Sequence, residues 1–153
     1  MNTVKLEEYL VLDYNLEEAY KTLRTNLEFC GDDIKVIMMT SCTPNEGKST
    51  LTVNLAKTLG EAGKKTILID ADLRKSVLVG RHRVGRVKGL SHYLSGQSTL
   101  EDIIYATNFD LFHIIFAGSL APNPTELLGN KYFSKMVKKL REEYDYVIID
   151  TPP

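Results

Sequence analysis

Ser41-Cys42-Thr43-Pro44-Asn45-Glu46-Gly47-Lys48-Ser49-Thr50 follows an apolar run, Val36-Ile37-Met38-Met39, and opens a helical pattern near Lys48. An apolar strand, a tight loop and a helix beginning at Gly-Lys-Ser is the layout of a phosphate-binding loop. A helix N-terminus offers unpaired N–H groups and the positive end of its dipole to an anion. Gly47 admits the phosphates close to the backbone. Lys48 would bring a point charge to the outer phosphates, and Ser49 a hydroxyl to Mg²⁺. The loop departs from the general G-x-x-x-x-G-K-[ST] pattern, because Cys42 stands where the first glycine falls. On its own the loop is a moderate signal.

Outward from it, hydrophobic periodicity divides the chain into alternating strands and helices. Asn15 caps a predicted helix from Leu16 to Phe29, with Leu16, Ala19, Tyr20, Leu23 and Leu27 on one face. Residues 1–15 read as irregular, with Tyr9 to Leu12 a candidate extended segment. Strand signals cover Lys35–Thr40, Lys65–Ile69, Asp110–Phe116 and Tyr146–Ile149. Helical signals cover Lys48–Ala62, Leu90–Leu94, Leu100–Tyr105, Thr125–Leu128 after Pro124, and Lys131–Tyr144. Gly63 is a natural C-terminal cap. Each strand is a nearly continuous apolar run, so the expectation is a parallel sheet covered on both faces. In such sheets ligands bind at the carboxyl ends of the strands.

Two further sites fall at those ends. Ile67-Leu68-Ile69 runs into Asp70-Ala71-Asp72-Leu73-Arg74, and Val147-Ile148-Ile149 runs into Asp150. Asp70 and Asp72 are two apart, so an extended segment turns both to one side. Beside a bound triphosphate, one carboxylate suits Mg²⁺ and the other suits accepting a proton from an attacking hydroxyl. Asp150 suits the metal shell. A lone Asp after a strand usually just ends it. Three, joined with Gly47-Lys48-Ser49, point to chemistry.

The chain has 153 residues, a net charge of −1 and two cysteines, Cys30 and Cys42. That length fits a single domain with its own core. The expected division is residues 1–33 as an N-terminal segment with an interface helix, and 34–153 as a nucleotide-binding core. Balanced charge removes any bulk electrostatic case for nucleic acid. The basic stretch Arg74 to Lys88 reads most simply as a solvated loop. The cysteines form no disulfide framework and no metal spacing, as suits a reducing cytosol. No apolar run reaches the roughly 20 residues that span a bilayer, and no signal-peptide pattern opens the chain. Membrane association then requires a partner.

Taken together, these residues resemble the bacterial tyrosine kinases of capsule and exopolysaccharide synthesis. The resemblance rests on Ser-x-x-Pro-x-x-Gly-Lys-Ser-Thr (Ser41 to Thr50), Asp-x-Asp-x-Arg (Asp70, Asp72, Arg74) and Asp-Thr-Pro-Pro (Asp150 to Pro153). Asn123-Pro124-Thr125-Glu126-Leu127-Leu128 is also similar to a family segment. It implies a three-layer αβα fold with a mainly parallel sheet, of the P-loop NTPase type found in MinD and ParA. It implies an autophosphorylating, non-specific protein-tyrosine kinase using ATP and Mg²⁺. Residues Thr43, Pro44, Asn45, Glu46, Gly47, Lys48, Ser49, Thr50 and Arg74 would bind nucleotide. Lys48, Asp70 and Asp72 would be catalytic, and Ser49, Asp70 and Asp150 would hold metal.

By the same resemblance, Glu18, Lys21 and Arg24 fall on a Glu-x-x-Arg-x-x-Arg subunit contact of a homo-oligomeric ring, with Lys21 in place of the first Arg. The family includes soluble members activated by a transmembrane polysaccharide co-polymerase adaptor. With Met1 and no spanning segment, this chain is expected to be of that cytoplasmic kind, recruited to the inner face of the membrane. Its substrates would be tyrosine-containing proteins. The family's C-terminal strands and tyrosine-rich tail lie beyond Asp-Thr-Pro-Pro and are missing from this sequence. Tyr132, Tyr144 and Tyr146 read as packing or surface residues rather than substrates. One rival is a switch ATPase of the chromosome-partition or division-site type. That group carries a second lysine where Thr43 stands here. Another is a nucleotide-binding module without turnover.

Overall fold

The computed structural model describes residues 1–6, 14–40, 48–73 and 87–152, with the backbone alone at Lys48 and Ser49. The described residues form a six-stranded sheet: β1 (Asn2–Thr3), β2 (Val36–Met39), β3 (Thr66–Asp70), β4 (Tyr105–Ala106), β5 (Phe112–Ile115) and β6 (Tyr146–Asp150). The spatial order is β1-β4-β5-β3-β6-β2, and every neighbouring pair is parallel except the β4–β5 hairpin. The helices are α1 (Tyr14–Phe29), α2 (Lys48–Glu61), α3 (Leu90–Leu94), α4 (Leu100–Ile103), α5 (Pro124–Leu128) and α6 (Lys131–Glu143).

Alternation along the strands builds two cores. Ile67, Ile69, Ile115, Val147 and Ile149 turn to one face and pack with Leu90, Leu94, Leu100, Met136 and Leu140 of the α3–α6 layer. Leu68, Phe112, Ile114 and Ile148 turn to the other and pack with Val53, Leu55, Ala56 and Leu59 of α2. Strands β3 and β6 are buried at every residue, which is why their sequences read as unbroken apolar runs. The result is the expected αβα sandwich. Helix α1 lies outside α2 and reaches the core only through half-buried Leu23 and Leu27. Leu16 and Ala19, expected on its inner face, are exposed. Periodicity identified the inward side but not how much of it is covered.

Local chemistry sets the ends. Past α2, Gly63 takes φ +85, and the Lys64 N–H donates to the Leu59 carbonyl at 3.0 Å, closing the helix in a Schellman-type turn. The Asn130 side chain accepts from the N–H groups of Tyr132 and Phe133 at the start of α6. Its amide also donates to the Leu94 carbonyl, tying α6 to the end of α3. Pro124 opens α5 at its first turn, as the sequence indicated.

Two expectations need correction. The helix expected to run through Tyr105 stops at Ile103, because Tyr105 and Ala106 pair with Ile114 and His113 in the β4–β5 hairpin. The first residues are not irregular: Asn2 and Thr3 pair with Tyr105 and Ala106, and Leu6 is buried in the α2-side core. Two-residue strands leave no periodicity to read. The Tyr9 to Leu12 segment lies outside the described residues.

At the amino end of the sheet, His113 Nδ1 and the Tyr144 hydroxyl share a 2.6 Å hydrogen bond. Burial lowers the His113 pKa, with Lys65 assisting, and pushes Tyr144 up to about 12, with Glu143 assisting. Below pH ~6.5 the unfolded histidine takes up its proton first, so this contribution to stability declines with acid. The Tyr144 contribution is intact below pH ~10 and is lost as pH rises toward about 12. His113→Asn, which cannot titrate, should therefore narrow its Tm gap to wild type between pH 7 and pH 5. A gap independent of pH in a differential scanning series counts against this account.

Gly60 sits where α2 crosses the Asp110–Leu111 turn: a Cβ there would lie 2.1 Å from the Asp110 carbonyl oxygen. Ala normally gains about 1 kcal/mol over Gly inside a helix. Overpacking against backbone costs about 1–3 kcal/mol, so the clash should win. Gly60→Ala is expected to lower the urea midpoint; an unchanged or raised midpoint contradicts the contact.

Candidate functional site

The four central strands β2, β3, β5 and β6 are mutually parallel, so Met39, Asp70, Ile115 and Asp150 end at one rim. Asp70 and Asp150 are register partners on adjacent strands. Neighbouring strands lie about 4.8 Å apart, so the two carboxylates start from backbone positions side by side. They are 1% and 3% exposed. On the other flank Asp150 is in register with Met39, the last residue of β2. The chain therefore enters the 41–47 loop directly beside Asp150. The Thr151 N–H and hydroxyl both donate to the Met39 carbonyl, at 3.0 and 2.9 Å, and fix that entrance.

The helix after the loop is aimed at the same place. Gly60, near the C-terminus of α2, touches the turn that feeds the amino end of β5. Helix α2 has 14 residues, so at 1.5 Å per residue it rises about 21 Å, slightly more than the sheet is tall. Its N-terminus at Lys48 therefore lies at the carboxyl rim, where a helix presents free N–H groups. Of Thr50 the structure gives a half-buried helical position.

Strand β3 ends at Asp70, so strand alternation does not extend to Asp72. Instead the Asp72 N–H donates to Asp70 Oδ1 at 3.1 Å, and Asp72 is half-buried. The Ala71 N–H donates to the Asp150 carbonyl at 2.9 Å, locking the two acidic ends together. Thr43, Pro44, Asn45, Glu46, Gly47 and Arg74 lie outside the described residues, as do Cys42 and most of the basic 74–88 stretch.

The donor set suits a hard cation. Asp70 and Asp150 supply carboxylate oxygens at one point, and Mg²⁺ characteristically takes one or two carboxylates with waters and phosphate oxygens. Among the described residues no three His, Cys, Asp or Glu side chains converge. Two acidic groups with room for phosphate and water match a magnesium site better than a closed metal cage.

Glu18, Lys21 and Arg24 are on α1, outside this rim. Lys21 and Glu18 form a 3.6 Å ion pair between half-exposed side chains, while Arg24 is half-buried. Such a surface pair contributes at most about 1 kcal/mol. Tyr144 and Tyr146 are buried, as packing residues are, and Tyr132 is exposed. Cys30 is a free, exposed thiol. No described helix is long and apolar enough to cross a membrane.

Sequence reasoning did not assign Thr151 its clamp on Met39. It also left the loop after β5 without a place. The Ala121 N–H donates to the Leu73 carbonyl at 3.1 Å, which draws that loop against the segment leaving Asp70 and Asp72. Neither bond has a signature in composition or spacing.

The model of the AAA domain family matches residues 34–153. The tyrosine-protein kinase CpsD of Streptococcus agalactiae is 47% identical over 138 residues, which make up 90% of this chain and 60% of that protein. The chain thus spans about three fifths of the length of the curated relatives it matches. The kinase domain of the Escherichia coli tyrosine kinase ETK superposes with a TM-score of 0.89 at 32% identity, covering 100% of this chain and 62% of that one. The VpsO kinase domain gives 0.82 at 38% identity, covering 90% and 68%. The septum site-determining protein MinD of Pyrococcus horikoshii, complexed with Mg-ADP, gives 0.65 at 32% identity over 76% of this chain and 48% of its own. The fold is thus of the nucleotide-binding P-loop class, nearer to the kinases than to MinD. With most of the chain inside the family model and more than two thirds of a 38% identical kinase domain covered, the chain belongs to the bacterial tyrosine-kinase family of AAA domain proteins.

Proposed function

We propose that this chain is the nucleotide-binding and catalytic part of an ATP-dependent protein-tyrosine kinase. It would phosphorylate itself and regulate capsular or exopolysaccharide synthesis and export. The observation that carries the reading is the buried register pair Asp70 and Asp150 beside the entrance to the Gly47-Lys48-Ser49 loop. Two buried like charges at that point suit a divalent cation and a polyphosphate.

In this reading the loop residues Thr43 to Thr50 and the first N–H groups of α2 cradle the phosphates. Lys48 balances charge on the outer phosphates. Ser49, Asp70 and Asp150 would hold Mg²⁺, which when bound neutralises charge on the transferring phosphoryl group. Arg74 would add a further contact to the nucleotide. Asp72, held next to Asp70 by its own N–H, or Asp70 itself takes the phenolic proton. The phenol oxygen then bonds to the γ-phosphorus as the bond to ADP breaks. Little covalent work falls to the protein; positioning and charge stabilisation supply the rate.

Residues 34–153 would form the catalytic core, and 1–33 would include a helix for subunit contact through Glu18, Lys21 and Arg24. A transmembrane polysaccharide co-polymerase adaptor would recruit the protein to the inner face of the membrane. The Mg-ADP-bound MinD neighbour supports a second reading, a switch ATPase, against which Thr43 stands at the position of that group's extra lysine.

Incubation with labelled ATP, Mg²⁺ and a tyrosine-rich peptide separates these. Phosphotyrosine should form and fall by about 10²–10³-fold or more in Lys48→Met, the scale of losing one preorganised charge contact. Asp150→Asn should raise the Mg²⁺ requirement without unfolding the protein. Phosphate release without phosphotyrosine would indicate the switch ATPase. Nucleotide binding with neither product would leave a module without turnover.

A further inference from the structure

A cavity of about 310 Å³ opens between α3, the loop after β5 and the start of α5. Its walls include Ser91, His92, Ser119, Leu120, Asn123 and Leu127. The loop leaves the carboxyl end of β5, and its Ala121 N–H is bonded to the Leu73 carbonyl, one residue past Asp72. The cavity therefore opens on the same rim as the acidic pair.

Two glycines shape the junction. A Cβ on Gly118, which has φ +83, would lie 2.7 Å from Ser91 Oγ and 2.8 Å from His92 Nδ1. A Cβ on Gly89 would lie 2.3 Å from the Phe116 carbonyl oxygen. No side chain fits at either position, so α3 sits directly on the backbone of the loop. His92 is fixed at both ring nitrogens: Nδ1 accepts the Gly89 N–H at 3.0 Å, and Nε2 lies 3.2 Å from Ser119 Oγ. The neutral ring protonated at Nε2 satisfies both contacts. Ser91 is 7% exposed, and its buried hydroxyl has no hydrogen-bond partner within the protein. Leaving a buried hydroxyl unpaired costs stability, and a ligand that pairs it recovers the loss.

The lining excludes charged ligands. It contains no Lys, Arg, Asp or Glu, so neither a phosphate nor a metal ion finds a counter-charge. It offers hydroxyl, imidazole and amide groups, which both donate and accept, beside Leu120 and Leu127. A peptide main chain, with one donor and one acceptor per residue, matches that pattern. The volume lies at the small end of the roughly 300–1,000 Å³ range of ligand sites, enough for a short segment of chain. We infer that this cavity docks the residues flanking the acceptor tyrosine, delivering its phenol to Asp70 and Asp72. The inference rests on the kinase reading above and adds to it the acceptor subsite.

The probe is a blocked pentapeptide with one central tyrosine flanked by glycine and serine. Ser119→Phe fills the mouth from an exposed position, and Ser91→Ala removes the unpaired hydroxyl. Ser119→Phe should raise the KM for the peptide by about tenfold, equivalent to one good contact. Ser91→Ala should raise it several-fold, with Tm unchanged or higher. The affinity for ATP should hold in both. Unchanged peptide KM in both variants, with phosphotyrosine still formed, overturns the subsite and leaves the kinase standing. A lower Tm in Ser91→Ala marks that hydroxyl as structural and overturns its ligand role. Should wild type form no phosphotyrosine, titration of the same peptide followed by NMR decides the subsite separately. Shifts at the Gly118, Ser119 and His92 amides that vanish in Ser119→Phe support it, and their absence overturns it.

Discussion

Two carboxylates held side by side inside the end of an apolar sheet constrain everything else in this molecule. Like charges about 5 Å apart repel by about 3 kcal/mol at an effective dielectric of about 20. Asp70 and Asp150 meet that condition because five consecutive register pairs run from Thr66 and Tyr146 up to them. The strands beneath are fully buried, so sliding either by one residue would turn its core set to the wrong face. Apolar packing below thus enforces a charge arrangement above that favours a bound cation. The energy that tolerates the repulsion and the geometry that makes it useful have one source.

Topology then brings the loop to the pair. The chain passes from β2 through α2 to β3 and leaves a gap one strand wide, which β6 fills much later in the sequence. Asp150 therefore arrives between the exit of β2 and the exit of β3. This is a topological switch point, where α/β sheets place their ligands. Three residues far apart in sequence, Met39, Asp70 and Asp150, become neighbours through that single insertion. The Thr151 clamp on Met39 and the Ala71 bond to Asp150 then hold the junction on both sides.

What could be read from residues alone follows from this. An apolar run ending in Asp is a local pattern, so β3, β6 and their acidic ends were legible, and so was the start of α2 at Lys48. Pro124 and Gly63 act within a few residues of themselves and were legible for the same reason. The β1–β4 pairing, the early stop of α4 and the Ala121–Leu73 bond depend on partners distant in the chain and carry no period. The cavity is harder still. It exists because Gly89 and Gly118 let two backbones touch, and neither glycine has a neighbour in sequence that says so.

The loop entrance is the least supported part of the design. Among the described residues β2 pairs with β6 alone, Val36, Ile37 and Met39 are half-buried, and Met38 is 65% exposed. An edge strand held on one side moves more readily than the buried strands beside it. Small motion of β2 would carry the start of the loop past Asp150, which β3 holds in place from the opposite side. The two hydrogen bonds from Thr151 to Met39 counter that motion at the one residue where position matters. A rigid acidic pair facing a loop anchored by a weaker strand lets the site close on a nucleotide tail while its carboxylates stay fixed.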